Sequence, residues 1–141
     1  MPPTAIIIED NPNSARLASK LLRGANFEVF IAEDGETGLD TANEQTADII
    51  LVDLGLPDLD GQTVVALLHQ EAHMANVPVI AFTAYPTDTA MEMARAYGCD
   101  GVITKPIDTR TFVNQVRSFM KQTDTDEQQV KPGEPENQTE G

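Results

Sequence analysis

The sequence predicts an α/β fold, a doubly wound five-stranded parallel sheet with five helices. Short apolar runs of strand length alternate with amphipathic segments of helical period along residues 4–120. This alternation is typical of repeated βα units, whose right-handed crossovers make all the strands parallel. The chain has 141 residues, which fits a single core, because an ordinary domain has about 100–150 residues.

The strands are predicted from apolar runs rich in β-branched residues. The apolar run 48–53, which ends in Asp53 and is followed by Gly55 and Pro57, indicates a parallel strand buried on both faces. The other runs are also short and are bounded by turn residues. The predicted strands lie near 4–9, 27–32, 48–53, 77–83 and 101–104.

The helices are predicted from apolar stripes at a period near 3.6 residues. The last is the clearest, since Phe112, Val116 and Phe119 recur at i, i+4 and i+7. Asp108 is suited to cap its first turn, and Gly24 is suited to stop the first helix. The predicted helices lie near 13–24, 36–45, 61–72, 87–97 and 108–120.

Reactive polar residues stand at the carboxyl ends of four predicted strands. Glu9 and Asp10 follow the first strand, and Asp53 ends the third. Thr83 ends the fourth strand, and Lys105 follows the fifth. Since open α/β sheets bind ligands at this edge, acids, a hydroxyl and an ammonium group should converge there. The combination predicts a phosphoryl and metal site.

Simpler interpretations exist for each residue alone. An acid at a strand end can cap the next helix or stabilise a turn, but caps require no lysine and no matched strand positions. Asp58 and Asp60 are interpreted as turn residues, with Gly61 allowing positive φ. His69 and His73 have a metal-binding spacing but no evident third ligand, so they indicate a solvated face.

These residues together resemble a response-regulator receiver domain of two-component signalling. The resemblance is carried by Glu9-Asp10, by Asp53 with the loop that ends at Gly61, by Thr83-Ala84 and by Lys105-Pro106. It covers roughly residues 4–120. It implies a flavodoxin-like sheet of order 2-1-3-4-5 and a cis peptide bond between Lys105 and Pro106.

The resemblance also implies the chemistry of the site. Asp53 would be the phosphoacceptor, forming an acyl phosphate, while Lys105 and Thr83 contact the phosphoryl oxygens. Nucleophile and phosphate are both negative, so transfer depends on charge neutralisation more than on acid–base catalysis. Mg²⁺, a hard cation that prefers oxygen ligands, is the implied cofactor. Its implied ligands are Glu9, Asp10, Asp53 and the backbone carbonyl of Gly55.

One departure from the family concerns the switch. The position three residues before Lys105 usually carries Tyr or Phe, which swings inward on phosphorylation. Here it is Val102, and an isopropyl group cannot act as a large rotameric gate. The switch is therefore expected to depend on Thr83 and on the backbone of residues 84–87, with Tyr85 near the entrance of the site.

The implied partners are a sensor histidine kinase or a histidine phosphotransfer protein, and a downstream protein. Docking is expected through the first helix and the loop after the fifth strand, at Ser14, Ala15, Ala18 and residues 105–107. A weak homodimer is left open. The chain is expected to catalyse only its own phosphorylation and dephosphorylation, and the sequence identifies neither the kinase nor the pathway.

Two other functions remain open. One is a phosphatase with an aspartyl-phosphate intermediate, which would normally need a second acid shortly after the nucleophile and a cap insertion. Gly55 stands where that acid would be expected, and the sequence shows no such insertion. The other is a receiver-like scaffold that binds partners without phosphorylation.

Composition excludes some classes of function. The net charge of −14 argues against nucleic-acid binding, which needs a basic surface. No apolar run approaches the roughly 20 residues of a membrane span, and no signal-peptide pattern opens the chain. The single cysteine, Cys99, cannot form an intramolecular disulfide and fits a reducing cytoplasm.

The apolar pattern ends near residue 121. Residues 122–141 are rich in Gln, Glu, Asp, Pro and Thr, and such a segment cannot bury enough apolar surface to offset its ordering entropy. We therefore expect a receiver domain over residues 1–121 and an acidic disordered tail or linker over residues 122–141.

Overall fold

The computed structural model describes residues 2–128 and contains the predicted sheet. Five parallel strands have the order β2-β1-β3-β4-β5, so the flavodoxin-like prediction is confirmed. The register pairs Ile7 of β1 with Leu51 of β3, which places the ends of the two strands side by side. The strands are β1 (Thr4–Ile8), β2 (Glu28–Ala32), β3 (Ile49–Val52), β4 (Val79–Thr83) and β5 (Gly101–Thr104).

Five α-helices connect or follow the strands, close to the predicted positions. A short 3-10 helix over Ala72–Met74 follows the third helix, which ends at Gln70 rather than near residue 72. The helices are α1 (Pro12–Gly24), α2 (Gly35–Glu44), α3 (Gly61–Gln70), α4 (Thr87–Tyr97) and α5 (Phe112–Gln128).

The strands alternate their side chains between two apolar layers. Ile7 packs in the layer beneath α1 and α5, with Leu22 and Phe112. Ile6 and Ile8 pack in the opposite layer, with residues of α2 and α3. Both faces of the sheet are therefore covered, which explains why β1, β3 and β4 are almost entirely apolar.

The start of α5 differs from the prediction. The helix begins at Phe112, not at residue 108. The Asp108 carboxylate instead accepts a hydrogen bond from the Arg110 amide at 2.9 Å, and its carbonyl accepts one from Phe112 at 3.0 Å. Asp108 thus caps a turn that leads into the helix. The pattern located the apolar stripe correctly but could not distinguish this turn from the first helical turn.

The end of α5 also differs, because the helix continues through Gln128, past the boundary predicted at residue 121. Helix propagation needs no apolar stripe once the preceding turns are formed. The remainder of the predicted tail, residues 129–141, lies outside the described residues. The division into a domain and a tail stays a prediction.

Glycine roles were only partly predicted. Helix α1 does end at Gly24, but the left-handed residue that follows it is Asn26, at φ 72°. Gly61 is not at positive φ; among the described glycines that conformation belongs to Gly98. A Cβ at Gly61 would lie 2.7 Å from Cδ2 of Leu54. Gly61 is therefore required by close packing at the start of α3, not by turn geometry.

Candidate functional site

The predicted site residues meet in one cleft at the carboxyl edge of the sheet. The cleft has a volume of about 670 Å³ and is lined by all six of the residues singled out in the sequence. They are Glu9, Asp10, Asp53, Gly55, Thr83 and Lys105.

The sheet ladder holds several of these residues in place beyond the strand ends. The Glu9 amide donates to the carbonyl of Ala32 at 2.9 Å, and the Asp53 amide donates to that of Ile8 at 2.9 Å. The Lys105 amide donates to the Thr83 carbonyl at 2.7 Å. Backbone pairing between neighbouring strands therefore fixes the spacing of the acids and the lysine.

An acidic cluster occupies one side of the cleft. Glu9, Asp10 and Asp53 each offer a carboxylate oxygen within 4.8 Å of the other two. Glu9 is 1% exposed and Asp53 is 9% exposed, whereas Asp10 lies at the surface. Among residues 2–128 this is the one cluster of at least three potential ligands. A donor set of carboxylates alone suits a hard divalent cation.

Lys105 faces two of these acids. Its Nζ lies 2.5 Å from Oε1 of Glu9 and 3.7 Å from Oδ2 of Asp53. The ammonium group also lies 5.1 Å from the ring centroid of Phe82, a favourable position for a cation over an aromatic face. The lysine is thus held beside Asp53 without being paired fully with it.

Burial changes the titration of Glu9. Desolvation by burial, the largest cause, and the neighbouring Asp53 carboxylate together raise the pKa of Glu9 to about 7, outweighing the opposing effect of Lys105. The Asn11 amide, which donates to Oε2 of Glu9 at 3.1 Å, also opposes the rise. A proton or a cation at this carboxylate is therefore favoured over an unpaired negative charge.

The Asp53 carboxylate is held by its own loop. Its Oδ1 accepts a hydrogen bond from the Gly55 amide at 2.9 Å, while Oδ2 faces Lys105. A Cβ at Gly55 would lie 3.8 Å from Oδ1, so the small residue leaves this side of the carboxylate open. The two oxygens therefore have different surroundings, one held by the backbone and one near the ammonium group.

Thr83 lines the cleft from the end of β4, the strand next to β3, and is 2% exposed. Its Oγ1 accepts a hydrogen bond from the Tyr85 amide at 3.2 Å. Tyr85 is 47% exposed at the rim. Val102 is half-buried and packs against the group formed by Leu54, Ala81 and Ala94, so the side chain at that position lies among apolar residues.

The sequence did not predict the role of Asp58. Its carboxylate accepts hydrogen bonds from the amides of Gly35 at 2.8 Å and Glu36 at 3.0 Å, at the start of α2. These bonds, with that from Gly35 the largest effect, lower the pKa of Asp58. Asp60 caps α3 by accepting from the Thr63 amide. The loop after Asp53 is thus fixed to two helices.

Two predicted contacts of the first helix are not available to a partner. Ala15 is 4% exposed and Ala18 is fully buried against the sheet. They are small residues that bring α1 close to β1, a role that the sequence cannot separate from a docking role. Ser14 is half-buried, and Leu17 is 37% exposed, so these residues present the accessible surface of that helix.

The remaining candidates stay outside the site. His69 and His73 are both exposed and lie on different helices, and the ring of His73 is within 3.0 Å of the Ala42 carbonyl. Burial raises the pKa of Cys99 to about 11, which makes its thiol a poor nucleophile.

The Lys105–Pro106 bond is cis, as the resemblance implied.

Comparison with known proteins identifies the family. The family model described as the response regulator receiver domain matches residues 5–117. The chain belongs to this family. It is 32% identical to the polar-differentiation response regulator DivK of Brucella anthropi over 120 residues, covering 85% of this chain and 98% of the relative. The DivK protein of Brucella abortus has the same identity and coverage.

Solved receivers have the same fold. A putative response regulator from Chloroflexus aurantiacus is 26% identical, with a TM-score of 0.80 over 86% of this chain and 99% of that one. The receiver domain of a sensor histidine kinase from Pseudomonas aeruginosa is 25% identical, with a TM-score of 0.78 over 86% of this chain and 99% of that one. That structure holds a magnesium ion in its active-site cleft.

The protein is therefore a receiver domain with a phosphoacceptor role in two-component signalling. None of the helices within residues 2–128 has the length and apolar character needed to span a membrane.

Proposed function

We propose that Asp53 accepts a phosphoryl group from a phosphohistidine protein and that the phosphorylated receiver binds a downstream protein differently. The observation that carries this proposal is the position of the Asp53 carboxylate, 3.7 Å from the Lys105 ammonium and inside a cluster of acids. An exposed, unpaired aspartate would have no means of neutralising an incoming phosphoryl group. The receiver family supplies the class of donor.

In the transfer step, an Asp53 carboxylate oxygen attacks phosphorus as the bond from phosphorus to the donor imidazole nitrogen breaks. The product is an acyl phosphate, and the imidazole leaves with the electron pair of the broken bond. Oδ1 is held by the Gly55 amide, so Oδ2 is the better placed nucleophile. Lys105 supplies positive charge to the phosphoryl oxygens as they approach.

We propose Mg²⁺ as the cofactor, held by Glu9, Asp10, Asp53 and the carbonyl of Gly55. The three carboxylates within 4.8 Å of one another fit a small oxygen-binding cation. When bound, Mg²⁺ would neutralise the acids and the phosphoryl oxygens. The same charge would compete with Lys105 for the Glu9 carboxylate, leaving the ammonium group available to the phosphoryl group.

The Thr83 hydroxyl is proposed to bind the phosphoryl group on Asp53 and so to change the conformation of the loop that follows β4. In the present state its oxygen accepts from the Tyr85 amide. Turning the hydroxyl toward a phosphoryl oxygen on Asp53 would break this bond and release the backbone at Tyr85. The signal would then pass to the exposed segment 84–89 and to α4, without a large side chain at Val102.

The partners are proposed to be a sensor histidine kinase or a histidine phosphotransfer protein and a downstream protein, in the cytoplasm. The accessible parts of the proposed docking surface are Ser14, Leu17 and the exposed Pro106. The catalytic activity is proposed to be limited to the receiver's own phosphorylation and dephosphorylation. The absence of an acid at Gly55 disfavours a phosphatase that acts on other substrates.

Incubation with acetyl phosphate and Mg²⁺ tests the proposal. The expected result is one phosphoryl group per chain that is labile in both acid and base, as an acyl phosphate is, formed once and lost slowly. Rapid release of phosphate over many turnovers would instead establish a phosphatase. No labelling at all would favour a scaffold that binds partners without phosphorylation.

The metal ligands can be tested separately by thermal unfolding. Millimolar Mg²⁺ is expected to raise the melting temperature of the wild type, because a ligand that binds only the native state stabilises it. The shift should be much smaller in Asp10→Ala. An equal shift in this variant would contradict the proposed ligand set.

A further inference from the structure

A second cleft lies on the opposite flank of α1 from the helix α5. Its volume is about 720 Å³, within the range of about 300–1,000 Å³ typical of small-molecule pockets. Helix α1 forms one wall, and the edge strand β2 forms the other through Ile31, which is 40% exposed. Such an exposed branched side chain beside a cleft offers an apolar contact for a ligand.

Basic side chains follow the helical wall of this cleft. Arg16, Lys20 and Arg23 all line it and recur at i, i+4 and i+7, so they project from one flank of α1. They make up three of the seven basic residues in residues 1–120, a segment whose net charge is −10. Within residues 2–128 none of the three forms a salt bridge. Positive charge is thus concentrated here in an otherwise acidic protein.

A buried hydroxyl lines the same wall. Ser19 is 2% exposed, and its Oγ has no hydrogen-bond partner within the described part of the chain. Serines inside helices usually bond to a carbonyl of the preceding turn, and a buried unpaired hydroxyl costs about 1–3 kcal/mol. A polar atom of a bound molecule would satisfy this group.

The acids of the cleft lie at one end. Glu9 and Asp10 follow β1, and Glu33 follows β2, so these residues belong to the carboxyl edge of the sheet. The basic residues extend from there along α1 toward the opposite edge. One of them, Arg23, already donates to the carbonyl of Val29 on β2 at 2.9 Å, which leaves Arg16 and Lys20 as the available cations.

We propose that this cleft binds a small amphiphilic anion. Its apolar body would lie against Ile31, its carboxylate or phosphate would bind Arg16 and Lys20, and a polar atom near that group would bond to Ser19. The site is separate from Asp53, and the proposal does not depend on the function proposed for that residue. Ser14 and Leu21, on the α5 side of α1, do not line it.

The test uses the isotope-labelled full chain and compounds that share one apolar chain but differ in head group. Octanoate and octyl phosphate, below their micelle concentrations, should produce saturable changes in the amide resonances of residues 16–23 and 31–33. Octylammonium, with a positive head group, should produce none there. Binding of octyl phosphate alone would assign a phosphate ligand, and comparable binding of octanoate would extend the assignment to carboxylates.

Variants then test the named contacts. Replacing both Arg16 and Lys20 with Gln should weaken binding of the anion at least about tenfold, because two charge-assisted contacts are lost. Arg95→Gln, which removes a positive charge from the exposed surface of α4, should leave the affinity unchanged. Ser19→Ala should weaken binding about threefold. The amide spectra of all of these variants should keep the dispersion of the wild-type spectrum, which shows that they are folded.

Results of three kinds would overturn the proposal. One is the absence of saturable binding by either anion. Another is a response confined to the exposed apolar residues Tyr85 and Met91 of the other face. The last is equal binding of octylammonium, or unchanged anion affinity in the double Gln variant, since either would show that the basic residues have no part in recognition.

Discussion

Two loops that border the cleft at the carboxyl edge of the sheet are stabilised very differently. The loop between β3 and α3, residues 53–60, is fixed by side chains. Asp53 accepts from Gly55, Asp58 accepts from the start of α2, and Asp60 caps α3. The loop therefore contacts two helices as well as its own backbone.

The loop between β4 and α4, residues 84–86, lacks these restraints. Pro86 stands at the cap position of α4 and provides no side-chain cap. Every residue from 84 to 89 is exposed. The one side-chain hydrogen bond found for this segment in the described residues is that from the Tyr85 amide to Thr83.

The difference indicates where the receiver can change. A loop with several buried or capped contacts opens only at a large cost in free energy, whereas an exposed loop with few contacts opens at a small one. The acidic side of the cleft is therefore suited to hold the reacting groups still. The side that carries Thr83 is suited to move when the phosphoryl group arrives.

The largest expected effect is the loss of phosphorylation in Asp53→Asn. The change is nearly isosteric and removes the nucleophilic carboxylate, so labelling by acetyl phosphate should disappear. Stability should hold or rise, because one of the crowded carboxylates becomes neutral. Asp60→Asn is the matched control: it keeps a residue able to cap α3 and should keep full labelling. Undiminished labelling of the Asp53 variant would refute the assignment.

The fixed loop can be disturbed from its end by Gly61→Ala. The new methyl group would meet Leu54, at 2.7 Å from Cδ2 and 3.0 Å from Cα. Overpacking of this kind should lower the free energy of unfolding by about 1–3 kcal/mol, measured by denaturant unfolding. Gly24→Ala is the control, since a Cβ there has nothing within 4 Å. Equal effects of the two changes would show that packing against Leu54 is unimportant.

The stability of the protein should also depend on pH through Glu9, which lies on the acidic side of the cleft. Burial raises the pKa of Glu9 from 4.5 to about 7, so the folded state binds this proton more tightly than the unfolded state. Without metal, this contribution to stability is fully present below about pH 4.5 and is lost as the pH rises toward 7. Cation binding needs the ionised form and is favoured above that range.

The rise in melting temperature on adding Mg²⁺ should therefore be larger at pH 8 than at pH 6, with an apparent affinity about tenfold greater. Glu9→Gln has no group to titrate and should show a weaker, nearly pH-independent shift. A wild-type shift that does not change between these pH values would contradict the role of Glu9.

The smallest expected effect concerns the exposed loop between β4 and α4, residues 84–86. Phosphoryl-dependent binding of a partner should be largely lost in Thr83→Ala and little changed in Val102→Ala, measured with beryllofluoride as the phosphoryl mimic. Coupling energies are typically about 1–3 kcal/mol, and without an aromatic gate we expect the low end. Retention of the response in the Thr83 variant together with its loss in the Val102 variant would contradict this mechanism.

The pattern of the chain was sufficient for the fold, as β3 illustrates. Its uninterrupted apolar run predicted a central strand buried on both faces, and all of its residues are buried. The boundaries were less certain. The turn at Asp108 and the first helical turn at Phe112 have similar local sequences, and the choice between them depends on how Phe112 reaches the core.

Site chemistry was predictable as a set of residues but not as a set of contacts. Parallel strands bring their carboxyl ends to one edge, so the convergence of Asp53 and Lys105 followed from strand order. The pairing of Lys105 with Glu9 did not, because these residues are 96 positions apart and their separation depends on the packing of the two strands, β3 and β4, that lie between β1 and β5.

By itself, the sequence determined the class of fold, the edge at which the chemistry lies and the residues that can perform it, because strand period and polarity are local properties. Only the tertiary structure decided that Glu9 holds Lys105, that Asp58 secures α2 and that Ala15 and Ala18 are buried. These outcomes depend on distances and desolvation between segments remote in the chain. Both quantities arise only when the two apolar layers close on the sheet.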